Sequence, residues 1–256
     1  MALSIAVALR TLFSVLGCFM LATLVYTISI DGLPFRLELL TPWMAATLVD
    51  FYINAGALAA WVFYKESDWI RGMLWMLLLV CFGSITTCAY IALQFLKLSP
   101  EESMQDPVYH VLLRRHDKDD KGQNKVSPVV TARVIFGALG FLMLGTLFYT
   151  ILTDGSPFRK ELLTPWMTAT LIDFYVNVVA LSVWIAYKES SWITACAWII
   201  LMICFGSITT CTYIVWQLLQ LSSLDPLYLV LLSNGSRQKS CSTTYPTMEI
   251  PSYRSY

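Results

Sequence analysis

Long apolar stretches alternate with short polar ones along this chain. Stretches of about 20 residues, the length an α-helix needs to cross roughly 30 Å of hydrocarbon, run near 11–30, 43–64 and 72–96, and again near 134–153, 166–187 and 194–219. They lack the two-residue alternation of a membrane β-strand, and inside a bilayer every backbone N–H and C=O needs an internal partner. The pattern therefore predicts an all-α, polytopic membrane helical bundle with six transmembrane helices. Thr41-Pro42 and Thr164-Pro165 each offer a capping hydroxyl followed by a proline at the first helical position, where a missing N–H costs nothing. The second helix of each set is expected to start there. Trp43, Trp69, Trp166 and Trp192 fall at predicted helix ends, the headgroup level such side chains prefer.

The two sets are copies of one another. Residues 10–99 align without a gap on 133–222 at an offset of 123, and 55 of the 90 pairs are identical. DGLPFRLELLTPWMAATLVDFY from Asp31 answers DGSPFRKELLTPWMTATLIDFY from Asp154, CFGSITTCAYI from Cys81 answers CFGSITTCTYI from Cys204, and DPVYHVLL from Asp106 is echoed by DPLYLVLL from Asp225. The chain reads as a first three-helix repeat over 1–99, a polar linker over 100–130, a second three-helix repeat over 131–226 and a polar, disordered tail over 227–256. The first apolar stretch resembles a signal peptide, but its copy at Val134 lies in mid-chain, so it is read as a retained helix. Three crossings carry the chain to the opposite side, so the repeats are expected to be inverted about an axis in the membrane plane. That topology puts eight Lys and Arg on one side and nine on the other, which leaves orientation open.

Composition excludes the soluble alternative: 57% of residues are hydrophobic and 13% charged, against about 45–50% and 25% in soluble domains. Lys plus Arg and Asp plus Glu balance at 17 each, so no nucleic-acid partner is expected and the bilayer is the expected partner. The endomembrane system and the plasma membrane are the expected locations. The seven cysteines form no CxxC pair and six lie in apolar stretches, which argues against disulfides and zinc. No phosphate-binding glycine loop, nucleophile elbow or histidine cluster occurs, so no cofactor or metal is expected, and His110 and His116 read as solvated linker residues.

Embedded acids are the main functional lead. Asp50 and Asp173 lie nine residues after the capping threonines, about 13 Å into the bilayer, where a charge costs about 2.5–3.5 kcal/mol and is usually paired or faces a polar cavity. Asn54 and Asn177 follow at i+4 on the same face. In an inverted pair the four residues converge near the midplane, either as a proton or cation site or as a structural clamp between helices. Ser84, Thr87, Ser207 and Thr210 on the third helices could line a polar path, or bond their own backbone. Lys65-Glu66 and Lys188-Glu189 read as interfacial anchors, and Arg36 with Glu38 and Arg159 with Glu161 as loop ion pairs. Asn234 opens the one glycosylation acceptor pattern, relevant if the tail is lumenal, and Tyr245 to Met248 form a tyrosine-based sorting pattern, relevant if it is cytosolic. Asp117, Asp119 and Gly122 mimic part of a calcium loop, but Lys121 and Pro128 stand where ligands are needed.

The doubled DG-x-PFR-x-ELLTPWM, LVDFYIN and CFGSITTC strings resemble a plant family of multi-pass membrane proteins with a duplicated domain of unknown function. The resemblance covers nearly the whole chain and implies a six-helix membrane protein without naming an activity. A single repeat is also similar, through Asp50 and Glu66, to integral-membrane terpene cyclases, which use embedded carboxylates as acids. Three readings follow: a small-solute or ion transporter or channel-like protein with an Asp/Asn midplane site, an intramembrane enzyme that protonates an isoprenoid or lipid, and a structural or accessory subunit.

Overall fold

The computed structural model describes residues 2–114, 128–222 and 225–232. Among them there is no strand. The first repeat comprises α1 (Ala2–Asp31), α2 (Pro42–Lys65), α3 (Trp69–Phe82) and α4 (Ser84–Leu96), followed by the short α5 (Pro100–Gln105) and α6 (Pro107–Leu112). The second comprises α7 (Pro128–Asp154), α8 (Pro165–Lys188), α9 (Trp192–Phe205) and α10 (Ser207–Leu219), with a 3-10 turn at Leu227–Val230 in the place of α6. The expected caps form: the hydroxyls of Thr41 and Thr164 accept from the N–H of Met44 and Met167 at 3.2 Å, with proline at the first helical position. The calcium-like stretch, His116, Asn234 and the Tyr245–Met248 pattern lie outside the described residues.

Among the described residues, four helices, α1, α2, α7 and α8, are long and apolar enough to cross a membrane. The third apolar segment of each repeat is not one long helix but two short ones, broken at Gly83 and Gly206. These glycines have φ of +54° and +56°, a backbone region that L side chains avoid. The break reverses the chain. Tyr90 and Gln94 on α4 bond back to Glu66, which precedes α3, and the Thr86 hydroxyl donates to Leu78 O eight residues earlier at 2.9 Å. The second repeat repeats the geometry with Tyr213, Gln217 and Glu189, and with Thr209 on Leu201 O. Each third segment is therefore a helical hairpin that climbs about 20 Å in its first arm and returns to the end from which it started.

A fold-back changes the parity of the repeat, and the packing shows it. Trp43 and Met44 at the start of α2 cluster with Trp166 and Met167 at the start of α8, together with Leu24 and Leu147 near the ends of α1 and α7. At the opposite end, Trp61 and Tyr64 of α2, Trp184 of α8, and residues of α6 and the Leu227–Val230 turn surround one cavity. Helices α2 and α8 thus run side by side in the same direction, with α1 and α7 against them. The expectation of six helical crossings and inverted repeats is corrected: an even number of long helices per repeat returns the chain to its starting end, and the repeats run parallel. One end carries the loops 32–41 and 155–164 and is called here the loop end; the other carries α5, α6 and the start of α7 and is called the linker end.

The repeats interlock. Helix α1 packs on α4 of its own repeat and α8 of the other, and α7 packs on α10 and α2. The outward faces of α1, α7 and the outer hairpin arms stay apolar and uncovered, with Phe141 76%, Leu152 83% and Ile193 81% exposed, as expected of a perimeter solvated by lipid. Arg36 and Arg159 pair with Asp31 at 2.5 Å and Asp154 at 2.6 Å rather than with the glutamates that follow them. Each arginine also donates to the same aspartate's backbone oxygen, which closes the helix C-terminus.

Gly83 and Gly206 should tolerate no side chain. A Cβ would meet a carboxylate oxygen at 2.2 Å in both cases, whereas Gly32 and Gly155, also at positive φ, have nothing within 4 Å. Positive φ alone costs an L-residue about 1–2 kcal/mol. Thermal unfolding in detergent should therefore show a clearly larger loss for Gly206→Ala than for Gly155→Ala, and equal losses would rule out the clash.

Candidate functional site

Breaking a helix inside an apolar layer exposes backbone N–H groups that nothing local can satisfy. The acids singled out by sequence meet that demand across the repeat boundary. Asp50 Oδ1 accepts from the Ser207 N–H at 2.7 Å, and Asp173 Oδ1 accepts from the Ser84 N–H at 2.7 Å. Each carboxylate sits at the N-terminus of the other repeat's returning arm, where the helix dipole favours negative charge. The two aspartates are thus not brought together as a pair, as the inverted arrangement implied; each is committed to a different hairpin.

The remaining sequence candidates surround these latches. Asn54 and Asn177 are completely buried, and neither their amide oxygens nor their amide nitrogens have a partner. The hydroxyls of Thr87 and Thr210 are buried and likewise unpartnered, those of Ser84 and Ser207 lie beside the carboxylates of Asp173 and Asp50, and those of Thr86 and Thr209 bond the facing hairpin arm. Asn54 lies one turn past Asp50, and Thr210 lies one turn past Ser207 on the helix that Asp50 pins. The same register relates Asn177 to Thr87. Four unsatisfied polar side chains, Asn54, Thr87, Asn177 and Thr210, therefore occupy the interior beside the latches, where an unmade hydrogen bond normally costs about 1–3 kcal/mol.

Beneath this layer the character reverses. One turn past Asn54 and Asn177, Leu58 and Leu181 enter the wall of a cavity of about 180 Å³ that both repeats build. Its other walls include Trp61, Trp184, Phe13 and Phe136, and α6 and the Leu227–Val230 turn close it at the linker end. These covers are held by lysines. Lys65 Nζ donates to His110 O at 2.7 Å and to Leu113 O, and the buried Lys188 Nζ donates to Val230 O at 2.5 Å and Leu232 O at 2.8 Å. Trp61 Nε1 adds a bond to Leu112 O at 3.1 Å, and Tyr187 on α8 donates to Asp106, the cap of α6, at 2.9 Å.

Sequence reasoning missed one constellation. Glu66 Oε1 accepts from the Tyr90 hydroxyl at 2.9 Å and Gln94 Nε2 at 3.4 Å, and Glu189 from Tyr213 at 2.8 Å and Gln217 at 3.2 Å. Trp61 and Trp75 pack edge-on against Tyr90, as Trp184 and Trp198 do against Tyr213. Glu66 and Glu189 are thus fixed inside the hairpin feet and are not simple interfacial anchors. The signal was present in the Tyr-x-x-x-Gln spacing carried by both copies, a one-face helical pattern, but its partner could not be identified without the fold-back.

The latch sets a measurable expectation. Asp50→Ala leaves the Ser207 N–H buried without an acceptor and should lower stability by about 1–3 kcal/mol, read as a fall in unfolding temperature in detergent. Asp50→Asn keeps a carbonyl oxygen at that place and should lose less. Equal losses would assign the contribution to charge instead of to the acceptor.

No curated protein and no solved structure is matched by the chain. A family model does match, over residues 1–240, and carries the description "Protein of unknown function (DUF1475)". With that coverage, the chain belongs to the DUF1475 family of proteins of unknown function.

Proposed function

We propose that this is an integral membrane protein with four crossings and two re-entrant hairpins, which binds a lipophilic molecule in the apolar cavity between its repeats. The cavity carries the reading. Its wall is apolar, both repeats contribute to it, and it lies between helices that are open to lipid on their outer faces. Concave apolar sites of this kind at repeat interfaces are where membrane and soluble bundles hold ligands. No carboxylate lines it among the described residues, so the acid-catalysis alternative draws no support from this site. The polar layer one turn above offers amide and hydroxyl groups to an oxygen on the ligand.

The test uses the full-length chain purified in detergent and radiolabelled farnesol, an isoprenoid alcohol, as the probe. Ala57→Phe and Ala180→Phe fill the cavity from each repeat, at a packing cost of about 1–3 kcal/mol. Saturable binding by the parent chain that falls at least tenfold in either folded variant is expected. Equal binding by parent and variants would remove the cavity as the site.

Orientation follows from the parallel repeats. Arg10, Lys65, Arg71, Lys97, Arg114, Arg133 and Lys188 belong to the linker end, against Arg36, Arg159 and Lys160 at the loop end. The linker sequence between α6 and α7 adds Arg115, Lys118, Lys121 and Lys125. The bias of cytosolic loops toward Lys and Arg puts the linker end in the cytosol. A glycosylation acceptor inserted near Gly122, and the native Asn234, should both stay unmodified, while one carried on a flexible insertion at Gly155 is modified. Modification at Gly122 alone would restore an odd number of crossings per repeat.

A second reading, passage of a small solute or ion, is favoured by the layer of Asn54, Thr87, Asn177 and Thr210, whose buried side chains are unpartnered, next to Ser84 and Ser207. Asp50 and Asp173 would then gate that layer by releasing a hairpin. Proteoliposome flux that is abolished in Asn54→Leu while binding of farnesol persists would favour passage over binding.

A further inference from the structure

The duplication supplies an internal control, because a feature that one copy has lost cannot be needed for the fold both copies share. Such a feature stands at the foot of the first hairpin. A polar cavity of about 290 Å³ opens at the linker end between the end of α2, the start of α3, the end of α4 and α6. Arg71, Lys97, His110 and Arg114 line it together with Lys65. At the corresponding positions of the second repeat stand Thr194, Gln220, Leu229 and Ser233, and only Lys65 has a basic counterpart, Lys188.

The acids of this pocket are already engaged. Glu66 accepts from Tyr90 and Gln94. Asp68 Oδ1 caps α3 through the Ile70 N–H at 3.2 Å, and its Oδ2 lies 3.6 Å from Arg71 Nε. Lys65, Arg71, Lys97 and Arg114 line the pocket with the acids Glu66 and Asp68, whereas the corresponding positions of the second repeat carry only Lys188 and Glu189 as charged residues. Arg114 is oriented by a bond from its Nε to Ser67 Oγ at 3.1 Å. Trp69 and Ile70, beside Arg71, are 67% and 73% exposed, so the rim of the pocket stands where an apolar surface meets a charged one. That is the headgroup level of a bilayer.

We propose that this pocket binds a phosphate group, presented either as the headgroup of an anionic lipid or on a soluble phosphorylated compound. Two guanidinium forks and an ammonium from three separate elements give the directional donors that phosphate oxygens require. The cytosolic orientation proposed above for the linker end, on which this point rests, matches the leaflet that carries anionic lipids. The pocket lies on the far side of the α2 and α6 ends from the apolar cavity, with Lys65 and His110 facing it where Tyr64 and Val111 line the other. The proposal is therefore independent of the lipophilic-ligand reading.

The test exchanges the cations for the residues that the second repeat carries at the same places. The full-length chain and its R71T/K97Q/H110L/R114S variant are compared by native mass spectrometry in detergent, using dioctanoyl phosphatidic acid, dioctanoyl phosphatidylcholine and inorganic pyrophosphate as probes. The parent should bind phosphatidic acid about tenfold or more tightly than phosphatidylcholine, and the variant should lose that preference. Displacement of phosphatidic acid by pyrophosphate at comparable concentration, lost in the variant, assigns the site to soluble phosphates. Failure of pyrophosphate to displace it assigns the site to lipid. Absence of an anion preference in the parent, or its survival in the variant, overturns the proposal. Unfolding temperature monitors the fold, and R71T/K97Q provides a milder variant should the fourfold exchange unfold.

Discussion

A backbone N–H set free inside an apolar layer must find an acceptor, and the rest of this structure depends on how that is met. Turning a helix back within the apolar layer frees such groups twice, at Ser84 and Ser207. The acceptors are Asp173 and Asp50, each from the opposite repeat. Neither hairpin can therefore be satisfied by its own copy, and a single repeat would leave both a broken helix and a carboxylate without partners. The duplication is built into the hydrogen bonding as well as into the sequence.

The same constraint explains the glycines and the path of the chain. The carboxylate must approach the break closely enough to reach the N–H, and the space it takes is the space a Cβ at Gly83 or Gly206 would occupy. Close approach and positive φ thus coincide at one residue. Once the hairpin turns there, the third segment ends where it began, the next repeat starts from the same end, and parallel packing follows. The lysine bonds to the carbonyls of α6 and the Leu227–Val230 turn then close the linker end over the cavity between α2 and α8.

Helix starts, the repeat, and the residues that carry the latch were legible in the sequence because each has a local or periodic signature: Thr-Pro caps, an alignable copy, an acid in an apolar run. The fold-back was not. Residues 72–96 are continuously apolar enough to suggest one crossing, and a lone glycine followed by serine inside such a run is ordinary in membrane helices. What distinguishes Gly83 is a carboxylate 90 positions away in sequence, which no local reading can supply. The consequences are linked: a third crossing implies inversion, inversion splits the cations eight to nine, and the charge bias that sets orientation disappears. The glutamates at the hairpin feet were misread for the same reason, since Tyr90 and Gln94 reach Glu66 only if α4 returns.

The two copies differ in an orderly way. The main contacts that close the fold are present in both copies: the aspartate latches, the Glu–Tyr–Gln feet, the Thr hydroxyls across each hairpin and the lysines on the covers. Among the positions that have diverged are Arg71, Lys97, His110 and Arg114 at the linker end, which have no basic counterparts. A shared set of closing contacts with one charged foot is the arrangement expected when packing constrains both copies while a ligand constrains only one. These four basic residues meet in a single pocket, from α3, the end of α4, and α6 with the residue just beyond it. That convergence, more than the charge of any one residue, separates a binding site from an ordinary solvated face.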